Sequence, residues 1–138
     1  MNASRDFDKR TQSSDLSFMH SMRSPGQSIA DSIRATGQFI NSTLGDACNA
    51  NKIGNRMLAL KLLGEAMHPI MDYSSPMHTD KSGSPKEWNP WWPFGHSPAE
   101  GIGSETGMDV THSMYMQQRK LLSEAYDKVF GSGCGCRN

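Results

Sequence analysis

The sequence predicts a small all-α domain carrying one elaborate loop, and three observations predict it. Apolar residues recur at three-, four- and seven-residue spacing in three separate stretches, the period of a half-buried helix. No run alternates apolar and polar residues as a half-buried strand would. Residues 73–97 hold most of the prolines and all three tryptophans, and a loop that long in a small domain is usually functional.

The 138 residues have room for one domain, expected over 1–130 with a Gly/Cys tail at 131–138. With 36% hydrophobic and 8% aromatic residues the core is lean, so bound metal is expected to add to its stability. Residues 1–23 read as polar and irregular, anchored by Phe7, Leu16, Phe18, Met19 and Met22. Ser24-Pro25-Gly26-Gln27 reads as a helix start, with Ser24 as N-cap and Pro25 at the first helical position. Ile29, Ile33, Ile40 and Leu44 then mark an amphipathic helix ending near Gly45. A second helix is expected from about Asn51 to Asp72. Its buried stripe is read as Ile53, Met57, Leu60, Leu63, Met67 and Ile70–Met71, and Pro69 should kink its last turn. A final helix is expected over 110–130, with Met114, Leu121, Leu122, Ala125 and Val129 facing inward.

Fourteen Lys and Arg offset fourteen Asp and Glu, so net charge makes no case for a polyanion partner. No stretch approaches the roughly 20 apolar residues that span a bilayer. The start, MNASRDFDKR, lacks the apolar run of a secretory signal. Cys48 stands alone, and Cys134 and Cys136 read as free thiols on a mobile tail, with a metal pair or a strained disulfide as the alternatives.

The pattern that points to chemistry is His68-Pro-Ile-Met-Asp72 followed by His78. Residues four apart on a helix share a face, so His68 and Asp72 can grip one cation. The second oxygen of Asp72 is then free to bridge to a neighbouring metal. Ser74-Ser75-Pro76 forces a turn that can swing His78 back toward them. His96-Ser-Pro-Ala-Glu100 repeats the spacing. Imidazole and carboxylate together form a ligand set suited to zinc. Glu100 also completes a capping box with Ser97, and one carboxylate can serve both purposes.

HPIMDYSSPMH, with HSPAE downstream, resembles the zinc-dependent phospholipase C and P1-type nuclease superfamily. FMHSMRSPGQS, ALKLLGEAMHPIMDYSSPMH and the Trp-rich loop look like a compact branch of it, found at the C-termini of bacterial Rhs-type polymorphic toxins. The likeness spans roughly residues 6–105. It implies that His68 and Asp72 hold one zinc ion, with Asp72 bridging to a second held by His78, His96 and Glu100. It adds His20 and an upstream Asp fourteen residues earlier, which is Asp6, with Asp8 and Asp15 as competitors. Two or three zinc ions are implied. The third is in doubt, because no N-terminal Trp and no His before His20 are present to bind it. The chain is also far shorter than the full enzymes, a truncated version of their fold.

The implied reaction is phosphodiester hydrolysis by a toxin effector, with Asp72 orienting the nucleophile and Arg23 reaching the phosphoryl group. A salt bridge is the competing role for Arg23. Trp88, Trp91 and Trp92 could meet a membrane interface, giving peripheral contact, stack a nucleobase, or simply cover the core. Zero net charge tilts the substrate from nucleic acid toward phospholipid. A non-catalytic, zinc-stabilised binding module is the alternative. The resemblance further implies a cognate immunity protein and delivery into a target cell by a type VI or similar system without a signal peptide. His112, outside the motif, reads as a surface or packing residue.

Overall fold

The computed structural model describes residues 3–75, 77–89 and 112–131, with side chains described from Asp6 in the first helix and from Met116 in the last. The chain is all-α. Helix α1 spans Ala3–Arg10, a 3-10 helix spans Ser14–His20, α2 spans Ile29–Lys52, α3 spans Arg56–Tyr73 and α4 spans His112–Phe130. No strand occurs among the described residues, only isolated bridges pairing Arg23 with Glu87 and Thr79 with Pro85.

The region expected to be irregular before residue 24 therefore contains α1 and the 3-10 helix. α1 has one apolar anchor among its described side chains, Phe7, which is 2% exposed. A helix this short and polar carries no period to read, and packing alone fixes it.

The expected start of α2 is also corrected. Ser24–Gln27 is a turn, closed by the Gln27 N–H on the Ser24 carbonyl at 3.0 Å. Gly26 adopts φ 76°, as the residue after proline must in a type II turn. The cap lies four residues later. Ser28 accepts from the Asp31 N–H at 3.1 Å and donates to the Asp31 carboxylate at 2.7 Å. At its other end α2 runs straight through Gly45. It stops at Gly54, φ 79°, where Gly54 N–H reaches Asn51 O and Asn55 N–H reaches Ala50 O. That pair of bonds is a Schellman cap, which needs a left-handed residue and selects glycine. Asn55 then caps α3, accepting from Leu58 N–H at 3.2 Å. α3 continues through Pro69 to Tyr73.

The main core joins Leu44, Ala47 and Ala50 of α2, Ala59, Leu63, Ala66 and Ile70 of α3, and Ala125 and Val129 of α4. The expected stripe on α3 is thus set about a quarter turn from the observed one, at roughly 100° per residue. Leu63 and Ile70 are shared, but Ile53, Met57 and Leu60 are exposed, at 80%, 66% and 42%. Small side chains at Ala59 and Ala66, both fully buried, let α2 and α3 approach closely. Met57 and Leu60 carry the stronger apolar signal in sequence, yet they face water. α3 also buries a second face, bearing Glu65, His68 and Asp72, against α1 and the 3-10 helix. An Ala66→Leu substitution should therefore cost about 1–3 kcal/mol by overpacking. Met57→Lys should change stability by no more than about 0.5 kcal/mol. Urea denaturation of the two variants checks this register, and equal losses would contradict it.

Cys48 is buried and disulfide-bonded, its partner lying outside the described residues. This corrects the reading of Cys48 as isolated; Cys134 and Cys136, read as free thiols, lie outside the described residues. The expected tail, from residue 132 onward, lies outside the described residues. No helix among the described residues is long and apolar enough to cross a membrane.

Candidate metal centre

Four segments converge on one point. His68 and Asp72 come from the last turns of α3, and both are buried. Their four-residue spacing sets His68 Nε2 3.0 Å from Asp72 Oδ2. His20 ends the 3-10 helix and is fully buried. The chain turns sharply just after it, at Ser21, a non-glycine residue in the left-handed region at φ 54°. Such a conformation costs on the order of 1–3 kcal/mol. Here the Ser21 hydroxyl donates to the Pro69 carbonyl of α3, fastening His20 to the neighbouring helix. His20 Nδ1 then lies 3.0 Å from Asp72 Oδ2 and 3.0 Å from His68 Nε2.

His78 reaches the same point through the turn expected from Ser74-Ser75-Pro76. The Ser75 N–H donates to the Asp72 carbonyl at 2.9 Å and the His78 N–H to the Ser75 carbonyl at 3.0 Å. Thr79 Oγ1 donates to Tyr73 O at 2.8 Å and tightens the loop. His78 Nδ1 comes to 3.8 Å from Asp72 Oδ2, and its ring stacks on His20 with centroids 6.0 Å apart. All three imidazoles thus face one carboxylate oxygen.

The fourth contributor is Asp8 of α1. Its Oδ1 lies 3.7 Å from His20 Nδ1 and 3.6 Å from His68 Nε2. Asp6, the residue at the expected fourteen-residue separation, is exposed and stands apart from these groups. Residues two apart on a helix point about 200° away from each other, so α1 can present one of the two and not both. Phe7 decides which. Its ring stacks on Phe39 at 5.7 Å and meets the edge of His68 at 5.4 Å. An Arg10–Glu65 ion pair fixes the far end of the helix. Asp15, the other competitor, is exposed.

Ligand atoms around a tetrahedral ion with bonds of about 2.1 Å sit about 3.4 Å apart. His20 Nδ1, His68 Nε2 and Asp8 Oδ1 lie 3.0–3.7 Å from one another, and Asp72 Oδ2 lies 3.0 Å from both histidines. Asp8, His20 and His68, the two histidines buried and the carboxylate half-buried, could therefore hold a metal ion. His20, Asp72 and His78 form a second such group sharing His20. Burial alone would raise the Asp72 carboxyl. The field of His78 and the hydrogen bonds to His20 and His68 outweigh it and hold that carboxyl well below the ordinary carboxylate range. Asp8, with 31% of its side chain exposed, is the side on which the group meets solvent.

The loop is tied to the site by a run of backbone bonds. Lys86 N–H reaches His78 O at 2.8 Å, Arg23 N–H reaches Lys86 O at 3.0 Å, and Trp88 N–H reaches Arg23 O at 2.8 Å. This places the Trp88 ring 5.7 Å from His20. The Arg23 guanidinium is engaged by Glu87 at 2.7 Å and by the Gln27 carbonyl at 3.3 Å. Trp91, Trp92, His96 and Glu100 lie outside the described residues, as does the His112 side chain.

Asp8 and Asp6 make a direct test. Asp8→Asn should weaken metal binding by about tenfold or more, and Asp6→Asn should leave it unchanged. Competition against a metal-binding dye reads both, and the reverse order would reinstate Asp6.

A small all-α domain with a buried His/Asp group able to hold a metal ion is thus the class that fold and site define. Compared with family models, characterised proteins and solved structures, the chain has no significant match in any of the three.

Proposed function

We propose that the chain is a zinc-dependent phosphodiester hydrolase acting as an antibacterial effector domain, with phospholipase C-like cleavage of a phospholipid as the favoured reaction. The observation that carries this reading is the approach of His20, His68 and Asp8 to one another, and of Asp72 to both histidines, at ligand-to-ligand distances. Borderline-soft nitrogens with two carboxylates suit zinc better than magnesium or calcium, which prefer all-oxygen shells. Bound there, zinc would supply Lewis-acid activation of water and of a phosphoryl oxygen.

The residues have distinct tasks. His20, His68, Asp8 and Asp72 hold the first ion. His78, with His96 and Glu100, is assigned to the second, and Asp72 stands between the two sets. Two carboxylates around one dication leave the first set neutral, which favours an anionic phosphodiester no more than a water. Trp88 beside His20 offers an apolar wall for a headgroup or a base. Arg23 can reach a phosphoryl oxygen only by exchanging Glu87 for it. The zero net charge of the chain supports phospholipid over a long polyanion. Delivery into a target cell and a cognate immunity protein rest on the resemblance to the Rhs-type toxin branch.

One observation favours a second reading. Asp72, whose Oδ2 lies 3.0 Å from both His20 and His68, would complete a tetrahedral shell if it joined them and Asp8 on one ion, and closed shells are the mark of structural zinc. In that case the chain is a zinc-stabilised binding module. Zinc-reconstituted protein should release phosphocholine from phosphatidylcholine vesicles, and a chelator should stop it. Plasmid cleavage without headgroup release would reassign the substrate to nucleic acid. Zinc bound one to one with neither activity would leave the module.

A further inference from the structure

Behind His20 stands a residue that neither the motif nor the ligand geometry includes. Thr11 follows the end of α1, is 4% exposed, and sets its Oγ1 2.9 Å from His20 Nε2. A threonine hydroxyl has one proton to give and lone pairs to accept with. Its proton is already committed, because Oγ1 donates to the Phe7 carbonyl at 2.8 Å. A carbonyl offers no proton in return, so this bond has only one direction. The hydroxyl can therefore meet His20 only as an acceptor, and the proton between them belongs to Nε2.

That fixes the other end of the ring. With Nε2 carrying hydrogen toward Thr11, Nδ1 is the nitrogen whose lone pair a cation can take, and Nδ1 is the atom 3.0 Å from Asp72 Oδ2 and 3.0 Å from His68 Nε2. Ring orientation and tautomer are set together by the hydrogen bond on the far nitrogen.

We infer that Thr11 is a positioning residue for the metal centre, holding His20 in the Nε2–H form so that Nδ1 is its ligand atom. The inference rests on the metal-centre reading above and deepens it. His68 by contrast faces the site through Nε2, so the two histidines bind through different nitrogens. The choice of a hydroxyl also matters. A carboxylate behind His20 would add a third negative charge beside Asp8 and Asp72, whereas Thr11 orients the ring and leaves the charge of the set unchanged. One short helix thus delivers both a ligand, Asp8, and, just beyond its end, the group that orients another ligand. Phe7 links the two, its ring setting the rotation of α1 and its carbonyl fixing the Thr11 proton.

The test compares Thr11→Val, which keeps the shape and loses the hydroxyl, with Thr11→Ser, which keeps the hydroxyl. Zinc affinity, read by competition with a chromogenic chelator, should fall about tenfold to a hundredfold in Thr11→Val. It should recover to within a few-fold in Thr11→Ser. Nitrogen-15 NMR of the wild-type imidazoles gives a readout that no variant has to survive. His20 should carry its proton on Nε2 without metal, and Nδ1 should shift on adding zinc. Unchanged affinity in a folded Thr11→Val, or an Nε2 of metal-free His20 that carries no proton, overturns the role of Thr11 and leaves the centre standing. Wild-type protein that takes up no zinc overturns the centre, and the role of Thr11 with it.

Discussion

Withdrawing zinc is expected to lower the melting temperature by about 10–15 °C, and restoring it to recover the loss. The expectation starts from the core. Of the nine buried residues that form it among the described residues, five are alanines, so apolar burial per residue is small. The second buried face of α3 is filled instead by polar groups, His20, His68 and Asp72, which contribute little apolar burial. His20 Nδ1 lies 3.0 Å from Asp72 Oδ2 and from His68 Nε2, with Asp8 Oδ1 at 3.7 Å, so a cation among them would bind the folded state alone. A ligand that binds only the folded state at about 1,000 times its Kd adds about 4 kcal/mol. For a domain of this size each kcal/mol moves the midpoint by roughly 3–4 °C. Differential scanning fluorimetry with and without a chelator measures the difference. A shift under about 3 °C would mean that the ion, if bound, contributes little to folding.

How far sequence reached the site depended on what positioned each residue. His68 and Asp72 were legible because a helix period alone puts them together. His78 was legible because consecutive serines before a proline specify a turn. Neither inference needed tertiary structure. Asp8 was not legible against Asp6, since the choice depends on the rotation of α1, and that is set by Phe7 packing on Phe39 and His68. Thr11 gave no signal at all, because its role arises from two hydrogen bonds to residues brought together by folding.

The same division runs through the fold. The three long helices follow from period, and their all-α arrangement with it. Their ends were misplaced where a weaker signal was decisive. Gly45 looked like a stop but lies mid-helix, while Gly54 makes the left-handed cap. Ser24 looked like a cap but begins a turn, and Ser28 with Asp31 makes the cap. The apolar pattern points to a neighbouring face of α3, because alanine contributes little to such a pattern and much to close helix packing.

The second large effect is expected at Asp72. Its Oδ2 is the atom that His20, His68 and His78 all face, at 3.0, 3.0 and 3.8 Å. Asp72→Ala removes a ligand from the first set and the link to the second. Zinc affinity should therefore fall by about a hundredfold or more, beyond the usual cost of losing an outer-shell partner. The hydrolysis proposed above should drop to background, and the melting temperature should stop responding to zinc. Asp72→Asn separates charge from shape, keeping an oxygen in place while losing the anion. Its acid limb carries the sign. Because the native carboxyl is held below its ordinary value of 3.8, the stability it contributes is fully present above that pH. It is lost as pH falls below 3.8 toward the lowered native value. Metal-free wild type should thus lose stability on the acid side of that value by a margin that Asp72→Asn does not share. His68→Ala combined with Asp72→Ala should cost far less than the sum of the two, since either change alone already dismantles one set. Additive losses would instead mean that His68 and Asp72 act at separate sites.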